Sequence, residues 1–85
     1  MRDYPNGVKR IYDNGGKTVD RYTVYYYQEN GARALHVGRG MSAEPFHPQG
    51  VGQWVQGDLG PHNGRLINFA ALPEDCRKAV LQDLA

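Results

Sequence analysis

The chain has 85 residues, a net charge of +1 at neutral pH and an apolar fraction of 40% in which six tyrosines are counted. One domain of this length buries only about 60–65% of its unfolded surface, so its core is small. The near-zero charge argues against a general polyanion binder, the single cysteine, Cys76, excludes an internal disulfide, and no apolar run approaches the ~20 residues of a membrane span.

The charge is uneven. Residues 1–39 hold seven basic and four acidic residues, and residues 40–85 hold three and five. A lone cysteine fits a reducing compartment, and the start shows no charged n-region followed by an apolar h-region. Cytoplasmic residence is expected, in the cytoplasm of a host if the gene is mobile.

In chain order, residues 1–7 read as a frayed lead-in with a turn at Pro5-Asn6-Gly7. A strand is predicted over 8–12, with Val8, Arg10 and Tyr12 on one side and Lys9 and Ile11 on the other. Asp13-Asn14-Gly15-Gly16 ends it, because Asp and Asn cap their own backbone and the glycines permit positive φ. A second extended segment is predicted over 18–27. It contains the densest β-forming run of the chain, Arg21-Tyr22-Thr23-Val24-Tyr25-Tyr26-Tyr27. Asn30-Gly31 is a type I′ hairpin signal, and the return strand is predicted over 32–37. Short connections make these strands antiparallel neighbours.

Gly38-Arg39-Gly40 is expected to break the third strand and open a long ordered loop region, 38–64. Within it Ser42 can cap a single turn with Glu44, Pro45 and Pro48 forbid a long helix, and 51–56 forms a short extended piece around Trp54. Residues 65–69 read as a fourth strand. The C-terminus is the clearest helix: Pro73 suits the first helical position and Glu74 and Asp75 suit the positive end of the dipole. Leu72, Cys76, Ala79, Val80 and Leu84 make an apolar stripe at helical spacing. The expected fold class is α+β, a small antiparallel sheet of three or four strands with one C-terminal helix packed on it, in a single domain over 1–85. Tyr22, Val24 and Tyr26 should meet the helix stripe. Thr23, Tyr25 and Tyr27 are left for the loop from Phe46 to Trp54, or for a partner.

The residues define no coherent active site. Asp13 to Thr18 superficially resembles a phosphate loop but lacks the GxxxxGK[ST] spacing and a following crossover helix. Asp13 and Asp20 alone make a poor cation site. His36, His47, His62 and Cys76 match no usual zinc spacing. Ser42 lacks the glycine frame of a hydrolase nucleophile, and Cys76 lies on the apolar stripe, where a thiol is inert. A non-enzymatic protein is therefore expected, with no catalytic residue, metal or cofactor. Asp13, Asp20, Arg21, Ser42, His47 and Gln49 are read as residues that structure loops. Tyr25 and Tyr27 with Arg33 and His36 would suit stacking on single-stranded nucleic acid. Tyrosine, tryptophan and arginine equally suit a protein interface, for which Tyr25, Tyr27, Arg33, Arg39 and Trp54 are the candidate contacts.

Two blocks carry a resemblance. Ile11-Tyr12-Asp13-Asn14-Gly15-Gly16-Lys17-Thr18 runs into Asp20-Arg21-Tyr22-Thr23-Val24, and Gly40-Met41-Ser42 is followed by Pro45, His47-Pro48-Gln49-Gly50 and Gln53. Together with the Leu72-Pro73-Glu74-Asp75 helix start, this pattern resembles small proteins encoded by phages and bacterial mobile or prophage regions, over about residues 10 to 84. The tyrosine run and Trp54 depart from it. The resemblance implies a compact domain of mobile-element origin. By gene type and size it also implies stoichiometric binding to a host protein, such as inhibition of a nuclease or defence complex. A single-stranded nucleic-acid module and an accessory protein without a discrete ligand site are the alternatives.

Overall fold

In a computed structural model of the chain, residues 3–29 and 36–85 are described. The tyrosine run becomes the centre of a five-stranded antiparallel sheet of order β4-β3-β2-β1-β5. The strands are β1 (Val8–Asp13), β2 (Tyr22–Glu29), β3 (His36–Met41), β4 (Gly52–Gly57) and β5 (Arg65–Leu66). Helix α1 (Glu74–Leu84) follows, and short 3-10 turns occupy Pro61–Asn63 and Phe69–Ala71.

The strand count is five rather than three or four because, besides the strand expected from residue 65, the extended piece around Trp54 also joins the sheet at an edge. Gly52–Gly57 pairs residue for residue with β3, from Met41↔Gly52 to His36↔Gly57. Arg65 and Leu66 pair with Asp13 and Tyr12 at the other edge, and the segment then turns into the 3-10 turn at Phe69. The region 38–64 is thus interrupted by a strand. The third strand also continues past its predicted end at 37: its described part runs straight through Gly38-Arg39-Gly40. Those glycines serve the strand instead of ending it. A Cβ on Gly38 would lie 2.8 Å from Cδ1 of Tyr25, so only glycine leaves room for that ring.

Strand β2 starts at Tyr22, later than the 18–27 prediction. The Asn14 amide donates to the Thr18 hydroxyl at 2.8 Å, which prolongs the turn and leaves Val19 exposed. In β1 a bulge between Val8 and Arg10 shifts the register. The extra residue turns Val8 onto the same side as Ile11, and both are buried in the main core. From Asp3 on, the lead-in is tied down rather than frayed. Both carboxylate oxygens of Asp3 accept backbone N–H groups, from Phe69 at 2.9 Å and Ala70 at 3.3 Å, while the Tyr4 hydroxyl donates to the Ile67 carbonyl. The Asn30-Gly31 turn and the start of the predicted return strand lie outside the described residues.

The main core forms where the sheet meets α1. Tyr22, Val24 and Tyr26 from β2, with Val8, Ile11 and Met41, pack against Leu72, Cys76, Ala79 and Val80. Leu84 packs on the margin of this cluster. Fully burying each large aliphatic side chain contributes about 1.5–3 kcal/mol. Pro73 sits at the N-cap, one position before the helix, and its carbonyl accepts the Arg77 N–H at 3.0 Å.

The other face of the sheet carries a smaller core, built on Tyr25. Its ring meets Tyr12 edge-on at 6.1 Å, and its hydroxyl donates to Oδ1 of Asn63 at 3.2 Å. The cover comes from the Pro61–Asn63 turn and not from the loop between Phe46 and Trp54, where Phe46 is exposed.

Burial raises the phenol pKa of Tyr22, Tyr25 and Tyr26 above its ordinary value. In the unfolded chain these groups ionise near pH ~10. Their contribution to stability is therefore complete below that pH and is lost as the pH rises through the higher folded values. Each adds a slope of up to about 1.4 kcal/mol per pH unit. Stability should fall steeply above pH ~10, with tyrosinate absorbance and far-UV circular dichroism changing together. Ionisation of all tyrosines well before the loss of circular dichroism would contradict this packing.

Candidate functional site: clefts around Trp54

The sheet register sets up the site. Val24 pairs with Arg39, and Arg39 pairs with Trp54, so all three lie on the helix face. The last turn of α1 brings Asp83 over this corner. Its Oδ1 accepts from Nη1 of Arg39 at 2.6 Å, and its Oδ2 accepts from the Tyr26 hydroxyl at 2.7 Å. The Arg39 guanidinium in turn lies over the Trp54 ring, 5.1 Å from the centroid. The Tyr26 and Trp54 rings meet at 5.9 Å with a 48° tilt. Burial and the Asp83 carboxylate push the Tyr26 phenol well above its usual range. Each Asp83 oxygen thus holds one donor of this network, which ties the end of α1 to β2 and β3.

On that support Trp54 stands 56% exposed, and Tyr27 is 69% exposed. Trp54 is a shared wall of two clefts. One, of about 290 Å³, lies between Tyr27, Trp54 and the end of α1, with Tyr26, Asp83 and Leu84 in its lining. The other, of about 540 Å³, is lined by Val37, Trp54, Val55 and Gln56. Lys9 sits over the Tyr27 ring, with Nζ 5.2 Å from the centroid. Two large aromatic surfaces with a fixed floor and polar margins suit capture of apolar side chains from a partner.

Of the candidate contacts, Trp54 and Arg39 come together and Tyr27 shares a cleft with Trp54. Tyr25 does not join them, because it is buried at 3% exposure in the opposite face. Arg33 lies outside the described residues. Sequence reasoning missed Asp83, which organises the corner. Its partner Arg39 lies 44 residues away in sequence, so no local spacing pointed to the pair.

The loop residues make local bonds. Asp13 accepts from Nε and Nη2 of Arg21 at 2.7 and 3.0 Å and from the Gly15 N–H at 2.8 Å. The Arg21 hydrogen bond holds the Asp13 carboxyl below the ordinary carboxylate range. Asp20 lies against Gly40, with Oδ2 3.1 Å from where a Cβ would be. Oγ of Ser42 accepts the Val51 N–H at 3.0 Å, and Nδ1 of His47 accepts the Gln49 N–H at 3.1 Å. Cys76 is buried and its thiol donates to the Ser42 carbonyl at 3.1 Å. Burial pushes that thiol up to about 11, which leaves it protonated and unreactive at neutral pH.

Among the described residues no three His, Cys, Asp or Glu side chains gather as metal ligands, and no helix is long and apolar enough to cross a membrane. Comparison with protein-family models, with curated proteins and with solved structures finds no match to this chain.

Proposed function

We propose that this is a non-enzymatic binding protein that engages a partner protein through Trp54 and Tyr27. The observation that carries the reading is Trp54 itself. It is a tryptophan more than half exposed, braced from below by Arg39, Tyr26 and Asp83, with a cleft on either side. A rigid, partly exposed tryptophan costs little conformational entropy on docking and offers a large contact area. The resemblance to mobile-element proteins supports a host protein as that partner and inhibition of a defence or nucleic-acid-processing complex as the consequence.

The test is capture from nuclease-treated host lysate on the immobilised protein and on a Trp54→Ala/Tyr27→Ala variant. The parent should retain one protein in stoichiometric amount. The variant should keep its circular dichroism and lose the partner by tenfold or more, since a hot-spot truncation costs about 2 kcal/mol. No stoichiometric partner, or equal retention by the variant, would defeat the reading. Nucleic-acid binding is the less supported reading, because burial of Tyr25 removes half of its stacking platform. Salt-sensitive binding to short single strands would restore it.

A further inference from the structure

We propose that the cleft between the β1–β2 turn and the segment entering β5 binds a phosphate monoester dianion through Lys17, Arg21 and Arg65. This cleft, of about 370 Å³, lies at the far end of β2 from the Trp54 corner: Asp13 pairs with Tyr22, whereas Val8 pairs with Tyr26. It is independent of the partner surface described above.

Three cations, Lys17, Arg21 and Arg65, line it with one carboxylate, Asp13. Asp13 is already committed. Its Oδ1 accepts from Nε of Arg21 and from the Gly15 N–H, and its Oδ2 accepts from Nη2 of Arg21. The fork fixes the guanidinium against the Tyr22 ring, 5.2 Å from the centroid, and uses only one edge of it. Nη1 of Arg21 makes no hydrogen bond among the described residues. Lys17 and Arg65 are exposed and form no ion pair with a described residue. The cleft is left with a surplus of positive charge from three side chains, of which Arg21 is pre-oriented and Arg65 also attracts the Asp13 carboxylate.

The chemistry differs from that of a phosphate loop. The turn amides are occupied, since Gly16 and Lys17 donate to Oδ1 of Asn14. Recognition therefore falls to guanidinium and ammonium groups, which match tetrahedral oxyanions with charge-assisted hydrogen bonds. Three cations against one carboxylate balance a dianion, which favours a monoester over a diester. The volume leaves room for a small attached group.

The test is an amide NMR titration with inorganic phosphate and with adenosine monophosphate, ionic strength being held constant with sodium chloride. Saturable shifts are expected at Gly15, Gly16, Lys17 and Nε of Arg21, with dissociation constants in the millimolar range. Lys17→Gln and Arg65→Gln should each weaken binding roughly threefold to fivefold, as exposed charge contacts do, and the double variant tenfold or more. Unchanged β3 and β4 resonances in the variants establish that the fold is kept. Linear shifts without saturation, or equal saturation in the double variant, overturn the site. Binding of inorganic phosphate without binding of the monophosphate overturns the ligand class.

Discussion

Asp83→Ala is expected to destabilise the protein by about 3 kcal/mol, the low end for breaking a buried charge pair. The low end applies because the Arg39 side chain retains 22% exposure while that of Asp83 retains 9%. The carboxylate holds two donors at once, and its loss strands both the Tyr26 hydroxyl and the Arg39 guanidinium. Nε of Arg39 is already buried without a partner among the described residues, so water cannot fully relieve the second loss. Against this, removing a negative charge from the last turn of α1 returns only about 0.3–1 kcal/mol of dipole energy. The network therefore wins. Urea unfolding should show a lower midpoint with an unchanged slope. Tyr26→Phe alone should cost about 1 kcal/mol, and a double-mutant cycle with Asp83→Ala should return a coupling near that value. A loss below about 1 kcal/mol in Asp83→Ala would show that Asp83 merely lies beside these groups.

Gly64→Ala is expected to cost about 3 kcal/mol or more, through two effects that Gly15→Ala separates. Gly64 has φ +116 and ψ −156, a conformation open essentially to glycine alone. A Cβ there would also collide with the Asp13 carbonyl oxygen and lie 2.7 Å from Cα of Asn14, both backbone atoms that cannot swing aside. Gly15 has φ +78 but nothing within 4 Å of its missing Cβ. Its replacement should cost only the backbone penalty of about 1–2 kcal/mol. A domain of this length has a total stability of about 4–13 kcal/mol, so Gly64→Ala should shift the thermal midpoint by well over ten degrees, by roughly 4–8 °C for each kcal/mol. Equal losses in the two variants would mean that the close approach of Gly64 to the β1–β2 turn is not maintained in solution.

The parts of the fold legible in the sequence are those in which side-chain period reports direction. Tyr22, Val24 and Tyr26 alternate, Cys76, Ala79 and Val80 repeat at helical spacing, and the two sets meet in the main core. Val8 shows the limit of that logic, since a bulge inverts its face without leaving a mark in the composition. Gly38 shows another. Glycine counts against a strand by propensity, yet here it admits the ring of Tyr25 from the neighbouring strand. Strand β4 reads as extended but not as a sheet member, because Gly52-Gln53-Trp54-Val55-Gln56-Gly57 lies largely exposed at an edge and carries no alternating apolar pattern. At the candidate site Trp54 and Tyr27 stand out by residue type. The brace beneath them depends on Asp83 meeting Arg39 across 44 residues, and nothing local announces that.

The order of the strands also fixes an order of events. From β1 to β4 each strand lies beside its sequence neighbour, so those pairings close over hairpin or short-loop distances. Strand β5 and helix α1 instead return from the far end of the chain, Arg65 to Asp13 and Asp83 to Tyr26. Contacts of long sequence separation are the slow ones to earn in a folding transition state. Gly64→Ala and Asp83→Ala should therefore act mainly on the unfolding rate and leave the refolding rate nearly as it was. Gly38→Ala, within the meander, should slow refolding. The brace that Asp83 lends to the corner carrying Trp54 is therefore expected to close after the β3–β4 pair it supports and to open before it.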